Sequence, residues 1–120
     1  MRHDPLRSLA VLAVLSLAAC APPPLFYWGQ YEDSLYKRHT DTSERGQAEA
    51  FKMLELTIQE AEAKNSRVPP GVYADYGYLL FKQGKVEDAI VFFRKEAETY
   101  KESKYLMDSV ISRIERKKAQ

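Results

Sequence analysis

Two stretches of helical periodicity, joined by the four residues Lys82-Gln83-Gly84-Lys85, constrain this 120-residue chain more than any other feature. Before the join, Tyr73, Tyr76 and Leu80 share one face, with Phe81 beside it. After it, Val86, Ala89, Ile90, Phe93 and Ala97 recur at helical spacing. That spacing gathers apolar side chains into one stripe of a helix. Gly84 accepts the left-handed backbone that ends a helix, and Pro69-Pro70 can open the first one, because proline lacks only a donor that is unused there. So short a link makes the two helices an antiparallel hairpin. Small Gly77 and Ala89 let the backbones approach, while Tyr73, Leu80 and Phe93 fill the seam.

Residues 70–103 resemble a tetratricopeptide repeat, a helix–turn–helix unit with large, small and aromatic residues at set positions. The frame here is Tyr73, Tyr76, Gly77, Leu80, Gly84, Val86, Ala89 and Phe93. Two positions depart from it. Glu96 stands where the repeat prefers Ala, and Lys101 where it often has Pro.

Upstream, Trp28, Tyr31, Leu35 and Tyr36 repeat the first-helix pattern in degenerate form, and Asp41 with Glu44 three residues later reads as a capped helix start. The next helix should present Phe51, Leu54, Ile58 and Ala61, flanked by Ala50 and Met53, and end near Lys64-Asn65-Ser66. Downstream, Ser103 can cap a last helix carrying Leu106, Val110 and Ile114. No stretch alternates with the period of a strand. The expected fold is all-α: tetratricopeptide-like antiparallel hairpins with a closing C-terminal helix.

The N-terminus has the zones of a secretory signal. Arg2 and Arg7 precede an apolar run from Leu9 to Ala19, which ends in Leu17-Ala18-Ala19-Cys20. The run is shorter than the roughly 20 residues needed to span a bilayer, and Pro22-Pro23-Pro24 ends any helix just beyond it. Cys20 is the only cysteine, so an internal disulfide is excluded. Its setting resembles a bacterial lipobox, which makes Cys20 the expected lipid acceptor. One acyl chain holds a protein only marginally; bacterial lipoproteins of this kind carry several. Ala21, rather than Asp, follows the cysteine, and by that resemblance the chain is sorted to the outer membrane, facing the periplasm. The expected organisation is a signal peptide over 1–19, the lipidated Cys and Pro-rich spacer over 20–25, and the helical domain over 26–118. At about 3.1 Å per residue the spacer lifts the domain only some 15 Å from the membrane.

Lys and Arg number 18 against 17 Asp and Glu; removing Arg2, Arg7 and Asp4 with the leader leaves an even balance. Without a basic block, nucleic acid is not an expected partner, since its affinity comes mainly from phosphate neutralisation. The one local excess is Arg113, Arg116, Lys117 and Lys118. It reads either as favourable charge at a helix C-terminus or as a contact with a membrane surface or a partner. His39 is the single histidine after the leader and is expected in a polar break between helices. Glu55, Glu60, Glu62, Glu87 and Asp88 alternate with lysines as solvated helix faces do. No phosphate loop or catalytic motif is present. No enzyme activity, cofactor, metal or small-molecule substrate is expected.

Phe26, Tyr27, Trp28, Tyr31 and Tyr36 lie close to the expected anchor. Aromatic residues favour membrane interfaces, yet the spacing of Trp28, Tyr31 and Leu35 is that of a buried helical stripe. The stripe is the favoured reading. Tyr78 and Phe92 fall outside the best-packed stripes of their hairpin, so each either lines a groove for another protein or packs on a neighbouring helix. Tyr78, Phe92 and Trp28 are therefore the candidate partner-binding residues.

With Leu25-x2-Trp28-Gly29-x-Tyr31-Glu32-x2-Leu35-Tyr36 near its start, the chain resembles a family of small Gram-negative outer-membrane lipoproteins of unknown function. Members are often encoded beside a curli-secretion-channel-like lipoprotein and a further small lipoprotein. The resemblance implies a subunit of an outer-membrane lipoprotein assembly, with other envelope lipoproteins as partners, and supplies no catalytic residue. The alternative is a structural envelope lipoprotein that binds the membrane surface or peptidoglycan without a specific protein partner.

Overall fold

The computed structural model describes residues 22–119; the leader and Cys20 lie outside them. Among the described residues there are five helices and no strand: α1 Tyr31–Thr40, α2 Glu44–Ala63, α3 Val72–Lys82, α4 Val86–Thr99 and α5 Lys104–Lys118. Each helix packs chiefly on its neighbours in sequence.

The α3–α4 hairpin follows the sequence reading closely. Gly84 has a φ of 78°, the Lys85 amide donates to the Leu80 carbonyl (3.0 Å) and the Gly84 amide to that of Phe81 (3.0 Å). This is the paired closure that satisfies the last carbonyls of a helix. A methyl group at Gly77 would lie 3.0 Å from the Phe93 ring and 3.1 Å from the Ala89 carbonyl oxygen, so glycine lets the helices approach this closely without a shift. Tyr73, Tyr76, Leu80, Ala89, Ile90, Phe93 and Ala97 are all buried. The prolines do not open α3, however. Pro69 is fully buried in the preceding loop, and Gly71, with a φ of 86°, stands between the prolines and the helix as its N-cap.

Glu96, the departure from the repeat frame, ties three elements together. Its Oε1 accepts the Gly71 amide at the head of α3 (2.8 Å) and the Ser103 hydroxyl at the head of α5 (2.9 Å). A carboxylate thus replaces the small residue of the repeat by satisfying donors at two helix starts. Ser103 consequently does not cap α5 through its side chain. With the head of α5 held there, the stripe facing α4 is Met107, Ile111 and Ile114, with Val110 at its edge, and Leu106 is 59% exposed. Of the expected stripe, Ile114 is buried and Val110 lies at the edge, while Met107 takes the place expected for Leu106.

The first hairpin closes on small residues rather than aromatic ones. Ser34 is fully buried on α1 and its hydroxyl donates to the Ala50 carbonyl of α2 (2.9 Å). A serine on the inner face allows close approach while its one polar group finds a backbone acceptor. Gly29, with a φ of 47°, turns the chain against Thr57, whose Oγ1 accepts the Gln30 amide (3.0 Å). The expected Trp28–Tyr36 stripe is therefore corrected. Trp28 precedes α1 and is 47% exposed, Tyr36 is 73% exposed, and only Tyr31 and Leu35 turn partly inward. The start of α2 is also displaced. Ser43 is the cap, accepting the Gly46 amide (3.1 Å), while Asp41 accepts the Ser43 amide and hydroxyl. On α2, Leu54, Ile58 and Ala61 are buried as expected; Ala50 is buried too, whereas Phe51 is only half-buried.

Candidate functional site

Between the hairpins, rings and hydroxyl–carboxylate contacts flank the buried core that Leu54, Ile58 and Ala61 of α2 share with Val72 and Leu80 of α3. Phe51 stacks on Tyr76 with ring centres 5.0 Å apart. The Tyr73 hydroxyl donates to Glu62 (2.9 Å) and that of Tyr76 to Glu55 (3.1 Å). Burial, and then the neighbouring carboxylate, raise both phenols, that of Tyr76 to about 12. Lys52 and Tyr76 hold Glu55 below the usual carboxylate range. Burial pushes Glu62 upward, but hydrogen bonds from Lys95 and Tyr73 outweigh it and leave the group lowered. Glu55 and Glu62 thus join the hairpins; Glu55 is partly covered, while Glu62 keeps the exposure its alternation with lysine suggested.

Phe92 belongs to this seam. It meets Tyr76 edge-on at 4.6 Å and lies 6.2 Å from Tyr73, with the Lys95 ammonium over its ring at 5.3 Å. Its ring is half-buried between neighbouring helices.

Tyr78 lies elsewhere. It is 53% exposed and borders a groove of about 680 Å3 between α3 and α5. The groove arises because α5 packs on α4 and leaves α3 largely uncovered on that side. Phe81 and Phe93 line its α3–α4 side, and Val110 and Ile114 its α5 side. Arg113, Arg116 and Lys117 stand along the same wall. Neighbouring Glu115 and Lys118 pair with Arg94 (3.6 Å) and Glu87. Among the described residues no acid pairs with Arg113, Arg116 or Lys117. Of the four cations singled out from the sequence, Lys118 is a structural partner of α4, and the other three border an apolar groove. The signal was present in the i, i+3, i+4, i+7 register of Val110, Arg113, Ile114 and Lys117.

The structure therefore does not bring the three candidate residues together. Tyr78 faces the groove, Phe92 the inter-hairpin seam, and Trp28 the turn before α1. There Trp28 lies 6.4 Å from Phe26 and 6.1 Å from Tyr31. Cys20, the expected lipid acceptor, is outside the described residues. His39 lies in the last turn of α1 and is exposed, rather than in a break between helices. Among the described residues, no helix is long and apolar enough to cross a membrane, and no cluster of three or more His, Cys, Asp or Glu is placed to hold a metal ion.

The family profile described as "Domain of unknown function (DUF4810)" matches residues 25–110. The chain belongs to that family. Its matched span runs from the spacer through all of α1–α4 and into α5, so the hairpins and half of the groove wall lie within it. No curated protein and no solved structure matches the chain.

Proposed function

We propose that this protein is a non-enzymatic, lipid-anchored interaction module on the periplasmic side of the outer membrane, a subunit of an assembly of envelope lipoproteins. The observation that carries this reading is the groove between α3 and α5. Its walls expose Tyr78 and Phe81 to solvent, and three cations beside them have no internal partner among the described residues. Concave apolar surface with a few convergent polar groups is the usual form of a binding site.

The address rests on Leu17-Ala18-Ala19-Cys20 and Ala21. Cys20→Ser should abolish fatty-acid labelling and leave an unprocessed precursor; equal labelling of both forms would refute the anchor. Co-purification from detergent-solubilised membranes then tests the module. A stoichiometric protein partner, lost on Tyr78→Ala with Phe81→Ala, supports it. A second reading, attachment to the membrane surface alone, draws on Leu25 and Trp28, which are exposed within a few residues of Cys20. Recovery with lipid only would favour that reading.

A further inference from the structure

The groove carries positive charge beside exposed rings, and the outer face of α1 carries its complement. On the outer face of α1, Glu32, Asp33 and Tyr36 lie within one turn of each other and all are exposed, Tyr36 by 73%. Two carboxylates in the first turn of a helix are explained by its dipole. An aromatic ring standing out between them, one turn on, is not. Among the described residues neither Glu32 nor Asp33 pairs with a cation.

We propose that the α1 face of one copy of this chain docks into the α3–α5 groove of a second copy. Tyr36 enters between Phe81 and Ile114, and Glu32 and Asp33 meet Arg113, Arg116 and Lys117. The inference rests on the groove being a binding surface and names its occupant.

Three observations favour a second copy over other occupants. The charges match in sign and nearly in number, two acids against three cations. Glu32, Asp33 and Tyr36, at i, i+1 and i+4, set the ring and both carboxylates on one helix face, and Arg113, Arg116 and Lys117, at i, i+3 and i+4, gather the three cations along the groove wall. An arginine also offers a planar fork suited to a carboxylate. A lipid headgroup would satisfy the cations but leave the apolar floor at Phe93 untouched, because a bilayer surface cannot follow a concave wall.

The contact joins two different faces, so it is heterologous and does not close on itself as a two-fold dimer would. One copy placed in a groove still offers its own groove to the next. Chains or rings of copies follow from the same contact.

Disulfide cross-linking of the full-length chain in membranes tests this, with two differently tagged copies and the wild-type chain as background for Cys20. A copy carrying Tyr36→Cys and a copy carrying Lys117→Cys should form a mixed disulfide dimer. A chain carrying both substitutions should form a ladder beyond the dimer. Adding Arg113→Glu and Arg116→Glu to the Lys117→Cys copy should abolish the product, and Glu32→Lys with Asp33→Lys in the other copy should restore it. Equal cross-linking of Tyr36→Cys to Tyr105→Cys, a position 89% exposed and away from the groove, would overturn the docking as random collision. Dimers of Tyr36→Cys alone would overturn it in favour of a two-fold contact. Capture of a different protein at Lys117→Cys would overturn the second copy as occupant while leaving the groove a binding surface. No adduct at Lys117→Cys with any protein would remove both.

Discussion

The Arg38 guanidinium forks onto the Asp75 carboxylate, with Nη1 to Oδ1 at 3.0 Å and Nη2 to Oδ2 at 2.5 Å, and so clamps α1 to α3 across the helix that separates them in sequence. Both side chains are mostly buried, at 16% and 20% exposure. A bidentate pair of this kind adds direction as well as attraction. Arg38→Lys keeps the charge but loses one arm and should cost about 1 kcal/mol. Arg38→Ala leaves a carboxylate half-dehydrated without its cation and should cost about 2–3 kcal/mol, below the range for fully buried pairs. Denaturant unfolding of residues 22–119 reads both; equal effects would mean that the fork geometry contributes nothing.

Gly77 sits where α3 and α4 approach through its missing side chain, against the Phe93 ring and the Ala89 carbonyl. Replacing a mid-helix glycine by alanine ordinarily gains about 0.5–1 kcal/mol. Here the new methyl group would press a backbone oxygen at 3.1 Å, which cannot swing aside as a side chain can. Gly77→Ala should therefore be net destabilising by about 1 kcal/mol, and Gly77→Leu by about 1–3 kcal/mol. A stabilised Gly77→Ala would show that α3 and α4 sit farther apart than this contact requires.

Glu96 separates the value of a hydrogen-bond acceptor from that of a charge. Its Oε1 serves two donors, while its Oε2 is buried with no partner among the described residues. Glu96→Gln keeps one oxygen for the Gly71 amide and the Ser103 hydroxyl and should lie within about 1 kcal/mol of the parent. Glu96→Ala leaves both donors and a cavity, and should cost about 2–4 kcal/mol. Thermal unfolding distinguishes them; similar losses for both would mean that the carboxylate charge itself is needed.

Alkaline pH should weaken the seam between hairpins. Tyr76 is raised to about 12, and burial raises Tyr73, Tyr31 and Tyr100 as well. The unfolded chain loses these protons near pH 10, while the folded chain still holds them. Unfolding then releases protons, so stability present below about pH 10 declines as pH rises toward about 12. Tyr76→Phe cannot ionise and should lose less stability than the parent between about pH 9 and 11.5. Parallel pH curves for the two would place the alkaline transition elsewhere. On the acid side the sign reverses: Glu55 and Glu62 are lowered, and their contribution fades as pH falls below the ordinary carboxylate range.

The α3–α4 hairpin was readable from sequence because its determinants are local: Gly84 ends one helix, Gly77 meets Ala89, and the stripes repeat at helical spacing. The α1 stripe was misread for a physical reason. Hydrophobicity points to Trp28 and Tyr36, but the inner position belongs to Ser34, whose hydroxyl is satisfied by the Ala50 carbonyl. On α5 the expected Ile114 is buried, but Met107 and Ile111 take the places expected for Leu106 and Val110, because the face that α5 turns to α4 is set by tertiary packing. The groove was only half legible: the register of Val110, Arg113, Ile114 and Lys117 sets its α5 wall on one face, but the concavity exists only because α5 settles on α4. Tyr78 was nonetheless recognised as lying outside the packed stripe, and its exposure agrees with that. Phe92, singled out on the same ground, fills the seam instead, the other of the two readings left open for it.

Packing of each helix chiefly on its neighbours in sequence has a kinetic consequence. Contacts between nearby residues close short loops, whose entropy cost is small, and chains built mainly from them fold in microseconds to milliseconds. The first hairpin already has Ser34, Ala50 and Thr57 within itself, so it can pair before α3 has emerged from a ribosome or a translocation channel. Each later helix then finds its docking surface already in place. Such a chain spends little time with its aromatic rings exposed to other unfolded copies.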